Sequence, residues 1–220
     1  MTNQALIQSR INHGYNIASS KLGAQFNLYR PISTGPVIDP INLIDIVYAG
    51  FDIDPRFSHK APAVQGEMHS YALLDLTNIQ PADYLTDGCR TYFVANIEPL
   101  RPALCVLTNR VVSIYRPSST PTSSAYYGGN VTGLGDPQIT EWPASMILGP
   151  KGEVNPSGLP ADPRAPWYAV MLPAYTDDSG VTTIFKTGDV MVDDLNRRFT
   201  VSATELTPAG WRITCAYAGS

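Results

Sequence analysis

The stretch Asp83–Pro117 reads DYLTDGCRTYFVANIEPLRPALCVLTNRVVSIYRP. Asp87-Gly88 is a hairpin dipeptide, because glycine supplies positive φ without steric cost. It separates Tyr84-Leu85 from the strand-like run Thr91–Val94. Glu98–Pro102 interrupts the next connection, since proline cannot donate to a ladder. Ala103–Tyr115 then resumes as one long apolar strand, or as two strands bent near Asn109. The same design recurs at Asp189–Ala218, DVMVDDLNRRFTVSATELTPAGWRITCAYA. Asp83 aligns with Asp189 and Asp87 with Asp193. After a one-residue insertion in the second turn, Tyr92 aligns with Phe199, Val94 with Val201, Glu98 with Glu205, Leu104 with Trp211 and Val106 with Ile213. The apolar positions stay in step, so equivalent strands present the same inward face. A shorter echo joins Tyr29-Arg30-Pro31-Ile32-Ser33-Thr34 to Tyr115-Arg116-Pro117-Ser118-Ser119-Thr120, each following an alternating apolar strand. The pattern predicts a mainly β chain of one or two small antiparallel β-barrels or sandwiches built from a duplicated unit.

Outward from the repeats, residues 3–22 carry Leu6, Ile7, Ile11, Tyr15, Ala18 and Leu22 at helical spacing, opposite Gln4, Gln8, Asn12 and Asn16. Gly23 is placed to stop this N-terminal helix, which needs a surface, its own β domain or a neighbour, to lie on. Short strands are predicted over 24–31, 41–53, 68–76, 138–148 and 167–174. The intervening segments are long loops, with Asp54–Glu67, Ser118–Gly135 and Gly149–Pro166 rich in Gly, Pro, Ser or Thr. The expected organisation is an N-terminal arm (1–23), a first β unit (24–117), an extended connection (118–166) and a second β unit (167–220).

The 220 residues contain 15% charged residues, against the roughly 25% of an average soluble domain. So sparse a charged surface is consistent with partial cover by another chain or with a compact β protein coated in Ser and Thr. The net charge of −4 lacks the basic footprint of a nucleic-acid binder. Three cysteines without CxxC spacing argue against a disulfide framework or zinc site, and Cys105 and Cys215 read as small buried hydrophobes. No run approaches the about 18 apolar residues of a membrane span, and the first residues lack a signal-peptide profile.

Nucleophile elbows, phosphate loops and HExxH spacings are absent from the sequence. His13, His59 and His69 are scattered, and the pairs Asp177-Asp178 and Asp193-Asp194 fall in predicted turns. No catalytic, cofactor or metal residue is assigned. The candidate interface residues are the strand-end pairs Tyr29-Arg30 and Tyr115-Arg116, the loop aromatics Tyr126 and Tyr127, and Trp142 and Trp167, because aromatics beside arginine are common interface anchors.

Gly188-Asp189, Asp194, Arg197-Arg198-Phe199, Val201, Glu205 and Trp211-Arg212-Ile213 form a pattern that resembles small β-barrel proteins of tailed-phage head–tail junctions, head-closure or stopper proteins among them. Asp83, Asp87-Gly88, Arg90, Tyr92-Phe93-Val94 and Glu98 give it in the first copy. The chain as a whole also resembles virion proteins of phages infecting proteobacteria. The likeness is strongest over about 30 residues per copy, and stopper proteins are about half this length. It implies a non-enzymatic structural component synthesised in the host cytoplasm and carried in the virion. That component would be a six- or twelve-fold homo-oligomeric ring at the neck, connector or collar. Its neighbours would be portal, adaptor or tail proteins, it would lie near packaged DNA, and it would have no membrane contact. A capsid decoration or cement protein, or another tail or baseplate component, is the alternative station. A tail-associated hydrolase is a third reading, disfavoured by the lack of a placed acid/base pair.

Overall fold

A computed structural model describes residues 3–52, 68–117, 135–149, 166–177 and 179–219. A 20-residue helix, α1 (Asn3–Leu22), leads into twelve strands: β1 (Ala24–Tyr29), β2 (Leu43–Asp52), β3 (His69–Leu73), β4 (Tyr84–Thr86), β5 (Thr91–Asn96), β6 (Ala103–Leu107), β7 (Arg110–Arg116), β8 (Asp136–Leu148), β9 (Trp167–Leu172), β10 (Val190–Asp193), β11 (Arg198–Thr207) and β12 (Gly210–Gly219). They close two six-stranded antiparallel barrels. The first runs β1-β2-β3-β6-β5-β4 and the second, in the same sense, β7-β8-β9-β12-β11-β10. The duplication therefore spans every strand, well beyond the roughly 30-residue unit legible in sequence. β7 and β8, which the sequence boundaries place in the first unit and the connection, are strands of the second barrel. The chain crosses between barrels at Asn109, where the expected bend occurs. The Asn109 side chain and N–H bind the backbone of Ala144 and Met146 in β8 and fix that crossing.

Each barrel closes through a short seam. β1 meets β4 over three residue pairs, with Leu28 opposite Leu85, and β7 meets β10 over four, with Ile114 opposite Met191. Just beyond each seam lies a buried aspartate held by the arginine that ends the first strand. Asp83 accepts from Arg30 Nε at 2.7 Å and Nη2 at 2.8 Å, and from the Gln80 N–H at 2.7 Å. Asp189 accepts from Arg116 Nε and Nη2, each at 3.0 Å, and from the Lys186 N–H at 2.8 Å. Arg30 also reaches the Asn78 carbonyl and Arg116 the Ile184 carbonyl. The two sequence echoes are thus the two halves of one device. The Tyr-Arg-Pro echo supplies the guanidinium and the Asp83/Asp189 unit supplies the carboxylate.

The match extends to the backbone. Ala82 and Gly188 both adopt positive φ, at 74° and 92°. Their N–H groups donate to Val94 and Val201, whose own N–H groups return to the carbonyls of Asp83 and Asp189. β5 and β11 are bulged just past those valines, at Ala95 and Ser202. The turns between β4 and β5 and between β10 and β11 repeat a second ion pair, Asp87–Arg90 and Asp193–Arg197, with the one-residue insertion expected in the second copy. The last strand departs from the expected register. Val94 faces Cys105 and Val201 faces Cys215, so the two cysteines are the equivalent residues. Leu104/Trp211 and Val106/Ile213 are therefore not counterparts. Asn96 pairs with Leu104 but Ala203 with Thr214, so the second hairpin arm is three residues longer.

Alternation builds two cores. Phe26, Leu28, Leu85, Tyr92, Val94 and Cys105 fill the first barrel. Their outward neighbours Tyr84, Phe93 and Val106 join the residues filling the second, so the barrels share a continuous apolar contact. At its centre Tyr84 donates its hydroxyl to the Pro143 carbonyl at 3.0 Å and meets Trp142 edge-on. Nothing lies within 4 Å of a Cβ added at Gly188, so only its left-handed backbone opposes a side chain there. Gly188→Ala is expected to lower unfolding free energy by about 1 kcal/mol. Ala82→Gly is expected to raise it slightly, and denaturant titration of the two variants measures both shifts.

Candidate interaction surfaces

The surfaces that stand out are those the barrels leave uncovered. β2 is the clearest. Gln25–Leu28 of β1 line one edge of its first half, but β3 joins the other edge only from Gly50 onward. Leu43–Tyr48 is consequently a strand with one open edge among the described residues. Leu43, Ile44, Ile46 and Tyr48 are exposed, and Ile38 and Ile41 extend the apolar patch. The Ile46 N–H donates to the carboxylate of its own neighbour, Asp45, at 2.7 Å. A charged residue on an edge is a common means of discouraging indiscriminate pairing. A groove of about 360 Å³ lined by Asp45, Val47, Asp75 and Ile79 runs beside this edge, under Asn16 and Ser19 of α1.

α1 lies over β2 and β3 but presents the barrel with a mixed face. Gln8, Ile11, Asn12, Tyr15, Ala18 and Ser19 are the less exposed positions, while Leu6, Ile7, Ile17 and Leu22 face solvent. The apolar stripe expected from spacing is therefore split. Polar contacts set the rotation. Gln8 accepts from the Leu100 N–H at 2.7 Å and donates to Asn12, and Asn16 donates to Asp75 at 2.7 Å. Gly23 makes the turn into β1, because a Cβ there would stand 2.6 Å from the Ser19 carbonyl oxygen and 2.8 Å from Ala49.

A third feature lies between the barrels. His69 and Val106 of the first, with Trp167, Met171, Trp211 and Ile213 of the second, line a cavity of about 480 Å³. The indole nitrogens of Trp167 and Trp211 are buried and find no hydrogen-bond partner among the described residues. Unpaired donors on an apolar wall suit ordered water or an acceptor-bearing apolar group.

The candidate interface residues separate into distinct roles. Arg30 and Arg116 are engaged by Asp83 and Asp189 of their own chain. Tyr29 is partly buried against the shared core, and Tyr115 lies opposite Val190 in the closing seam. Trp142 is 1% exposed and lies in the contact between the barrels. Trp167 packs its ring on Gly149, where a Cβ would collide with the indole. Tyr126 and Tyr127 lie outside the described residues. The open β2 edge was not singled out in sequence. Its only signal is INLIDIVY, an apolar run without clean alternation and with a lone aspartate.

Comparison with protein-family models, curated proteins and solved structures found no match.

Electrostatics among the described residues concentrate on the turn pairs. Burial opposes ionisation of Asp193, but the Arg197 side chain and the N–H groups of Arg197 and Leu195 outweigh it and lower its pKa. Arg197 in turn sits over the rings of Tyr168 and Phe199. A carboxyl whose pKa is lowered by folding stabilises the fold above its unfolded value, about 3.9. That contribution is lost as pH falls through the lower folded value. Asp193→Asn is expected to cost about 1.5–3 kcal/mol at neutral pH, as for hydrogen bonds to a charged group. It should also flatten the decline in stability below about pH 4, which denaturant titrations at stepped pH would record.

Proposed function

We propose that this chain is a non-enzymatic structural component of a tailed-phage virion, assembling as a homo-oligomeric ring at the head–tail junction. The observation that carries the reading is the duplicated pair of closed barrels, with exposed apolar side chains clustered on β2 and α1 among others spread over the surface. Closed barrels have few edges to offer. An exposed apolar edge strand beside a helix with outward Leu6, Ile7, Ile17 and Leu22 is therefore a natural place for protein contacts. The resemblance of the repeated turn unit to head-closure proteins supplies the station. The buried carboxylates support a structural role, since Asp83, Asp189 and Asp193 are each engaged by an arginine of the same chain. Barrel packing and contacts from the arm and loops would join copies to one another and to portal, adaptor or tail proteins.

A reconstruction of purified particles tests this. Density for paired six-stranded barrels in a cyclic ring between head and tail is the expected result. The same barrels spread over the capsid lattice would support the decoration reading instead, and their absence from intact particles would exclude a virion role.

A further inference from the structure

The chain passes from the first barrel to the second at one peptide, Thr108–Asn109, between β6 and β7. Each of these two residues is bound to its own barrel. The Thr108 N–H and hydroxyl both donate to the Thr91 carbonyl of β5, at 2.8 and 2.9 Å. The Asn109 N–H donates to the Ala144 carbonyl at 3.0 Å, and its side-chain amide exchanges two hydrogen bonds with the Met146 backbone, at 2.9 and 2.8 Å. Rotation about the bonds that flank this peptide therefore separates the barrels without breaking a strand pairing in either. Val106, Thr108, Val111 and Val112 are β-branched, so the link suits an extended course as well as a bent one.

The contact between the barrels has its two halves on opposite sides of that link. The first barrel supplies Tyr84, Phe93 and Val106, together with the stretch Thr34–Val37. Asn42 holds this stretch to its own barrel, its side-chain amide donating to the Pro36 and Val37 carbonyls at 2.9 Å each. The second barrel supplies β8. The Thr140 N–H donates to the Thr34 carbonyl at 2.9 Å, and the Trp142 indole N–H donates to the Gly35 carbonyl at 2.9 Å. The Pro143 carbonyl accepts from the Tyr84 hydroxyl at 3.0 Å. Val37, Tyr84 and Trp142 are all buried. Parted barrels would expose these side chains to water and are driven to cover them again.

We propose that the barrels exchange between copies of this chain. Opening at Thr108–Asn109 lets the first barrel of one copy cover β8 of a second, while the second copy's first barrel covers β8 of the first. The internal contact itself identifies the partner, since another copy carries every donor, acceptor and apolar side chain that the contact uses. Reciprocal exchange closes a two-fold dimer that leaves none of these surfaces uncovered, the low-cost route to a dimer that domain swapping provides. The contact is the same in monomer and dimer. The two forms differ in the course of the link and in the entropy of association, so concentration sets their balance. Interconversion is slow, because the barrels must part before they can be exchanged. Exchange does not depend on the station proposed above for the chain in a particle.

The test unfolds the full-length chain, refolds it at stepped concentrations and weighs the products by native mass spectrometry. The dimer-to-monomer ratio should rise about tenfold for each tenfold rise in monomer concentration. Two full-length variants in a Cys89→Ser background, since Cys89 is the exposed cysteine, then identify the contact. One carries Thr34→Cys and the other Thr140→Cys. Refolded together and oxidised, they should form a disulfide-linked pair containing one of each. A chain carrying both changes, refolded dilute, closes the same disulfide internally and sets the reference yield. Ser20→Cys, at an exposed position of α1, used in place of Thr34→Cys should give no mixed pair above background. A chain that stays monomeric at every concentration overturns the proposal. So does a dimer in which positions 34 and 140 of different copies are not joined. Neither result alters the reconstruction of particles, so the virion reading stands or falls separately.

Discussion

Each barrel is closed by a seam of only three or four residue pairs, and a buried aspartate gripped by the arginine at the end of the opposing strand secures it. A three-residue strand such as β4 offers few ladder hydrogen bonds with which to hold a barrel shut. Arg30 and Arg116 add a bidentate grip, the stronger and more directional form of ion pair. Each also binds a carbonyl from the turn that precedes its aspartate, so strand end, turn and seam are tied at one point. The aspartates are 1% and 2% exposed. A carboxylate so placed without its arginine would be a serious liability, which makes the pair a constraint on the fold more than a bonus to it.

From that constraint the rest of the architecture follows. The left-handed residue before each aspartate turns the chain into the seam, and the valine that bonds back across the turn sets the bulge in β5 and β11. With the seams fixed, alternation decides what each strand shows to either side. In the first barrel the outward residues of β4, β5 and β6 are Tyr84, Phe93 and Val106, which the second barrel buries. In the second barrel the matching positions are smaller or polar. The copies have thus diverged in their outer faces while keeping the closing device. One pairing of barrels is therefore built into the chain, through the outer face of the first barrel alone.

The β class, the helix over residues 3–22, the aspartate turns and the repeat of the first two strands after each aspartate were legible because they rest on local rules: alternation, turn chemistry and helical spacing. The full extent of the duplication was not. β2 and β8, like β3 and β9, share no sequence signal, because their common property is their place in a closed sheet and not a residue pattern. The Tyr-Arg-Pro echo was visible, yet its partner lies 53 residues away in one copy and 73 in the other. The arginines could therefore be read as surface anchors. The final hairpin was misregistered because a three-residue difference in its arm keeps the apolar alternation plausible in either alignment. The rotation of α1 was missed because Gln8 and Asn16, on the polar face opposite the apolar stripe, make the hydrogen bonds to Leu100 and Asp75 that orient it.

The sharpest test of this account is a double-mutant cycle on each closing pair, Arg30→Met with Asp83→Asn and Arg116→Met with Asp189→Asn, followed by denaturant unfolding. A stapled seam predicts coupling of about 1–3 kcal/mol in each barrel, with the double variant less destabilised than the two single changes combined. Coupling below about 0.5 kcal/mol in either pair, with costs that simply add, would contradict the claim that these arginines and aspartates close the barrels together.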